Sequence, residues 1–367
     1  MGHVSAANAV AAALRRIEPA AKTPIVDSYD YAALVVSRVV SDGYLRMVKT
    51  IPQLYRYIYH RAERATEVGR FRTWAHQFTA GNLRPLILSM RPDAVVCTHA
   101  FPCGAMAEYK SLFADAPPVV AIVTDFAVHG FWIHERVDRY VVATEAMRDA
   151  IVARGIPTEA VAVTGIPVRR EFAYCDESRG ALRERLDLPQ DRRIILLMGG
   201  GLGIAPIEAM LGALVPVREP LAAVVLAGRN ARAARRLSEA AEKLDFPVRA
   251  LGFVDNVYDY MHAADVLVTK PGGLTTSEAL VAQLPMVLCR PLPGQEERNA
   301  RVLVEAGAAI RSRSLEELPV LVETLLRDRT RRERAIAAAR RMGRPNAAAE
   351  AAAMIAGMVE LGKEVVA

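Results

Sequence analysis

Short, continuously apolar runs rich in β-branched residues alternate with helical stretches along the whole chain, and this alternation limits the fold more than any other feature. In the first half the runs are PIVDSYD from Pro24, DAVVCTH from Asp93, PVVAIVTDF from Pro118, RYVVATE from Arg139 and AVAVTGIPV from Ala160. In the second half they are RIILLMGGG from Arg193, AAVVLAG from Ala222, VRALGFV from Val248, DVLVTK from Asp265 and PMVLCR from Pro285. Runs of this kind suit strands buried on both faces, and strands alternating with helices imply parallel sheets. A helix is expected over Ser5–Ile17, ahead of the Pro24 run.

A chain of 367 residues is about twice a usual domain. The polar stretch VRREFAYCDESRGALRERL separates the two series of runs and puts the boundary near residues 168–180. We therefore expect an α/β protein of two Rossmann-like, doubly wound domains facing a cleft, over residues 1–168 and 169–343. Residues 344–367 are expected to form a helix that packs back on the first domain. In open α/β sheets ligands sit beyond the carboxyl ends of the strands, so functional residues should come directly after the runs above.

Composition narrows the class. Apolar residues at 52% supply a large core and exclude a disordered chain. Cys97, Cys103, Cys175 and Cys289 lack metal or redox spacing and read as free thiols. The first thirty residues lack the apolar stretch of a secretory signal, and no run approaches the ~18–20 apolar residues of a membrane span. Ala6 stands where an N-myristoylation signal needs Ser or Thr. From Tyr44 to His76, seven Arg and Lys face only Glu63 and Glu67, a local charge of +5. Tyr44, Tyr55, Tyr57, Tyr59, Phe71 and Trp74 are interleaved with them. That mixture suits an anionic membrane interface, single-stranded nucleic acid or an ordinary helical hairpin. A second basic run, Arg327 to Arg344, reads as a helix with a solvated cationic face.

The most informative stretch is TKPGGLTTSEALVAQLPMVLCRPLPGQEERNA, from Thr269 to Ala300. A strand ends at Lys270, Pro271-Gly272-Gly273 turns tightly, and a helix begins near Thr275–Ser277. Backbone N–H groups at such a helix start suit a phosphate, and Thr275 and Thr276 can add hydroxyls. An ordinary capping box, Thr275 with Glu278, fits the same letters. After the next strand, Gln295, Glu296 and Asn299 offer the donors and acceptors that sugar hydroxyls need.

Taken with GFVDNVYDYMHAADVLVTK before it, this stretch resembles the nucleotide-sugar region of GT-B glycosyltransferases of the MurG and monogalactosyldiacylglycerol-synthase type. The resemblance covers nearly the whole chain. MGGGLG, Met198–Gly203, is similar to the family's glycine-rich loop and places Gly200 and Gly203 in the donor site. The resemblance implies that backbone near Phe253 and Val254 meets uracil and that Glu278 binds the ribose. It gives the diphosphate to the turn at Gly272, Gly273, Leu274, Thr275 and Thr276, and the donor sugar to Gln295 and Glu296.

THAFPCGA from Thr98 and VTDFAVHGFWIHERVDRYVVATE from Val123 resemble the lipid-glycosylating branch, which includes the processive diacylglycerol glycosyltransferases. This makes Asp125, His129 and Trp132 acceptor-side candidates and gives Tyr55, Trp74 and their basic neighbours a membrane-docking role. A buried structural role for His129 or Trp132 stands as an equal alternative. That branch carries G-x-G-H after its first strand, of which only Gly2-His3 is present. A strand ahead of Gly2, and a natural start upstream of Met1, are therefore expected. His3 matches the residue given as general base, and an imidazole of near-neutral pKa suits partial deprotonation of an alcohol attacking an anomeric carbon.

The resemblance thus implies an inverting transferase that moves glucose or galactose from UDP-glucose or UDP-galactose to diacylglycerol. It should need no cofactor, and no metal because a convincing D-x-D motif is absent. The expected setting is cytoplasmic, peripheral on the inner face of the plasma membrane, with anionic lipids as partners and no nucleic acid. The alternatives are a MurG-like UDP-GlcNAc transferase acting on another lipid, a UDP-sugar epimerase, and an inactive sugar-nucleotide sensor.

Overall fold

The computed structural model describes residues 2–32, 66–200 and 206–366. Its residues group into two compact units. One takes in the region from His3 to Pro167, with Leu292–Gln295 and the stretch from Asn346 onward; the other holds Val168–Pro291 and Glu296–Pro345.

The first unit carries four parallel strands in chain order: β1 (Val95–Cys97), β2 (Val119–Ile122), β3 (Arg139–Val141) and β4 (Val161–Ala162). Val95 pairs with Val119, Ala121 with Tyr140 and Tyr140 with Val161. Val120, Ile122 and Val141 meet Val10, Ala351 and Ile355 in one core cluster. Ala9 and Ala13 of the Gly2–Ile17 helix touch Ala348 and Ala352 of the Ala347–Val366 helix. Alanines four apart lie on one face of each helix, so the two can pack closely.

The run at Pro24 is not a strand. Ile25 and Val26 are exposed, at 45% and 41%, and the Asp27 side chain accepts from Tyr29 N at 3.0 Å to cap a 3-10 turn over Ser28–Tyr31. Proline removes a ladder donor, and an aspartate that bonds its own backbone competes with sheet pairing.

The second unit is a six-stranded parallel sheet in the order β10-β9-β8-β5-β6-β7. The strands are β5 (Arg193–Met198), β6 (Leu221–Leu226), β7 (Val248–Leu251), β8 (Val266–Thr269), β9 (Met286–Leu288) and β10 (Ala309–Arg311). β10 lies in GAAIRSR, a run too short to stand out in the sequence. β5, β6, β8 and β9 are buried on both faces, as continuous apolar runs require. Asp265 pins the entry of β8 to β5, accepting from Ile194 N and Arg183 Nη2, each at 2.8 Å. The basic run becomes a helix over Arg329–Met342 that buries Ala335, Ala338 and Ala339.

Gly343 ends that helix against its neighbour. A Cβ there would lie 2.9 Å from Ala339 O and 3.0 Å from Leu280 O, and Leu280 belongs to the Gly273–Val281 helix. Gly343→Ala must push the two helices apart. It is expected to lower unfolding stability by about 1–3 kcal/mol, the usual range for overpacking, as read by urea denaturation.

Candidate active site

In the second unit, β5 and β8 are neighbours although the chain departs from them to opposite sides of the sheet. The Thr269 hydroxyl donates to Met198 O at 2.9 Å, tying the carboxyl ends of these strands together. Beyond β5 comes Gly200 at φ +78°, a left-handed conformation that favours glycine. Gly203 lies outside the described residues.

Beyond β8, Gly272 N donates to Lys270 O at 2.9 Å, and the helix begins at Gly273. The capping box is not formed. Gly272 is the N-cap, with no side chain bonded there, so the helix starts two residues earlier than expected and Glu278 falls in its second turn. Thr276 Oγ1 donates to Gly272 O at 2.8 Å, and Ser277 Oγ donates to Gly273 O at 2.8 Å. The Thr276 hydroxyl is thus committed to the backbone. Thr276 N makes the first intrahelical bond, to Gly272 O, so the N–H groups of Gly273, Leu274 and Thr275 precede it.

Glu278 is buried, and burial pushes its carboxyl up to about 8, opposed only by the Arg169 guanidinium. Arg169 is held over the rings of Phe172 and Tyr258 and donates to Asp255 O at 2.8 Å. One side chain therefore connects Glu278 electrostatically to the loop that carries Phe253 and Val254. The Phe253 ring is 54% exposed, with the Arg229 guanidinium 5.0 Å from its centroid.

Gln295 opens the Gln295–Glu305 helix. Glu296 accepts from Lys270 Nζ at 2.8 Å. Asn299 is fully buried and donates to Pro271 O at 3.1 Å, so it holds the turn in place.

In the first unit, His3 lies in the opening helix with Nδ1 2.8 Å from Thr98 O and 2.8 Å from Thr124 Oγ1. A carbonyl only accepts, so Nδ1 carries the proton and Nε2 keeps its lone pair. Thr98 Oγ1 donates back to His3 O at 2.9 Å and fixes the residue from both ends. The His99 ring stands edge-on at 4.5 Å, and His99 Nδ1 accepts from Phe101 N to cap the Ala100–Leu112 helix. Burial and the neighbouring His99 lower His3 to about 3, and burial with His129 lowers His99 to about 4. Both rings are neutral at physiological pH, so the His3 lone pair is available, but in the free protein it is less basic than the near-neutral imidazole expected from the sequence.

Asp125 comes after Thr124 and is half-buried. His129 is buried and accepts from Phe131 N at 3.3 Å, capping the turn Gly130–Trp132. Trp132 is 1% exposed and is a core side chain. The Trp74 and Phe78 rings lie 5.9 Å apart and are both exposed on the Thr66–Met90 helix. Tyr55 lies outside the described residues, as does the segment from 43 to 65 around it. Lys270, Arg169, Thr98, Thr124 and His99 are not singled out by the sequence pattern. Lys270 and His99 each come directly after a strand or within two residues of its end, a signal that could have found them.

A family model described as monogalactosyldiacylglycerol (MGDG) synthase matches residues 3–168, and the glycosyltransferase family 28 C-terminal domain matches residues 194–355. The chain is 31% identical over 329 residues to a processive diacylglycerol beta-glucosyltransferase of Bacillus cereus (strain AH187), covering 89% of this chain and 83% of that protein. The protein of the same name from Bacillus licheniformis is 30% identical over 302 residues, 82% of this chain and 77% of the relative. Among solved structures, Acinetobacter baumannii MurG superimposes with a TM-score of 0.55 at 18% identity, over 77% of this chain and 79% of that one. The UDP complex of S. aureus MnaA gives a TM-score of 0.57 at 16% identity, over 73% and 76%. At such identities the structural likenesses establish the GT-B fold alone, whereas the sequence matches reach further. The chain belongs to the GT-B glycosyltransferases of the monogalactosyldiacylglycerol-synthase and MurG type.

Proposed function

We propose that this enzyme transfers glucose or galactose, with inversion, from a UDP-sugar to diacylglycerol at a membrane surface. The observation that carries the reading is the fixed tautomer of His3, whose Nδ1–H is committed to Thr98 O and whose Nε2 is left as a base. The relatives' name, diacylglycerol beta-glucosyltransferase, favours glucose as the donor sugar and diacylglycerol as the acceptor. No described helix is long and apolar enough to cross a membrane, which agrees with peripheral attachment.

In this reading Glu278 takes the ribose hydroxyls, and the uracil lies by the backbone at Phe253 and Val254. The N–H groups of Gly273, Leu274 and Thr275 take the diphosphate, where the helix dipole favours negative charge. His3 Nε2 removes the proton of the acceptor hydroxyl as its oxygen attacks the anomeric carbon. The bond from that carbon to the phosphate oxygen breaks, and its electron pair leaves with UDP. Displacement from the opposite face inverts the centre without a covalent intermediate.

Diacylglycerol vesicles given UDP-glucose or UDP-galactose are expected to yield a glycolipid. Since the helix start meets the leaving charge, the rate should be the same with EDTA present. An epimerised nucleotide sugar, or binding without turnover, would replace this reading with one of its rivals.

A further inference from the structure

The order of the second sheet makes β5 and β8 its switch point. β6 and β7 lie on one side, and β9 and β10 on the other. The crevice beyond the carboxyl ends of such a pair is where ligands of open α/β sheets bind. Lys270 is the first residue beyond β8, and its side chain is only 12% exposed. Its Nζ lies 2.8 Å from Glu296 Oε1, and that carboxylate is 14% exposed.

Burying two charges is costly, and an apolar pair of the same volume would often stabilise the fold as well or better. The ion pair therefore calls for a reason other than stability. Gly200 gives a second indication. A Cβ there would lie 3.2 Å from Lys270 Cε and 3.7 Å from Nζ, so the Gly200 backbone lies directly against the lysine stem. Gly200 and the lysine stem meet, the helix start at Gly273 follows three residues on, and an ammonium has three N–H groups, more than Glu296 Oε1 alone uses.

We propose that Lys270 is the cation that takes up the charge developing on the leaving diphosphate, with Glu296 holding its ammonium in position. This rests on the nucleotide-sugar reading of the site. As the bond from the anomeric carbon breaks, its electron pair stays on the phosphate oxygen, and Lys270 Nζ–H donates a hydrogen bond there. No proton changes owner. The lysine acts together with the N–H groups of the Gly273–Val281 helix, where cation and helix dipole have the same sign.

The test compares uridine, UMP and UDP binding to the full-length protein by calorimetry. Lys270→Met is expected to weaken UDP binding about 10- to 100-fold, the usual worth of a charge-assisted hydrogen bond, and to leave uridine binding unchanged. Lys270→Arg should recover most of the loss, and turnover by Lys270→Met should fall further than the KM for UDP-sugar rises. Unchanged uridine affinity also reports an intact fold. If the single variant misfolds around an unpaired Glu296, Lys270→Met with Glu296→Gln removes both charges and allows the same comparison. A wild-type ratio of UDP to uridine affinity in either variant would overturn the role of Lys270 alone. Wild-type protein that binds no UDP would overturn the nucleotide-sugar reading and this inference with it.

Discussion

His3→Asn is expected to leave UDP affinity unchanged and to cut glycolipid formation by about 10²- to 10⁴-fold, the usual contribution of a general base. Asparagine is the sharper substitution because its amide N–H can still donate to Thr98 O, 2.8 Å from Nδ1 in the native residue. It has no second nitrogen with a lone pair, so the packing is kept and the base is lost. Alanine would remove both and confuse a local collapse with a chemical defect. Near-normal turnover in His3→Asn would exclude His3 as the base.

The pH profile adds an independent readout. Burial and the neighbouring His99 hold His3 near 3 in the free protein. The imidazole is then in its basic form at every pH well above that value. Transfer should show no acid limb near pH 6.5, where an unperturbed histidine would titrate. A limb at that pH that vanishes in His3→Asn would show that the ring is solvated rather than buried.

Much of the fold is legible in the sequence because parallel strands buried on both faces must be continuously apolar. RIILLM and DVLVT are such runs and become β5 and β8. PIVDSYD has the same look and fails, because the fate of Ile25 and Val26 depends on whether a partner strand lies beside them, and Asp27 offers the backbone a local bond instead. The three residues of β10 are placed by their pairing with β9 rather than by their own pattern.

The site is legible to a different depth. Gly272-Gly273 reads correctly as a tight turn ahead of a helix, yet Thr275–Glu278 has the letters of a capping box and does not form one. A helix that starts at Gly273 turns the Thr276 and Ser277 hydroxyls onto carbonyls and carries Glu278 into the interior. No local spacing rule reports that shift of the N-cap from Thr275 to Gly272. Nor could spacing reveal that Thr98 and Thr124 converge on His3, since they are 95 and 121 residues away in the chain. The tautomer that leaves His3 Nε2 its lone pair is a property of tertiary structure alone.

Glu278 supplies the second large effect. Its carboxyl is raised to about 8 by burial, so near neutral pH the free protein holds it largely protonated. Ribose hydroxyls donate best to a carboxylate, so binding them favours ionisation and releases a proton. UDP affinity is therefore expected to rise with pH from 7 towards about 8 and then level off. Glu278→Gln should flatten that rise and weaken UDP binding about 10- to 100-fold at pH 8.5, the worth of a hydrogen bond to a charged group.

Stability should move in the opposite direction. A folded-state pKa above the ordinary value of 4.5 means that the folded protein keeps a proton that the unfolded chain has released. The associated stability is complete below 4.5 and is lost as pH rises through about 8. Glutamine never ionises, so Glu278→Gln should melt higher than wild type at pH 8.5 while binding UDP less well. A carboxylate needed only for folding would give the reverse, a less stable protein whose UDP affinity tracks the wild-type pH curve.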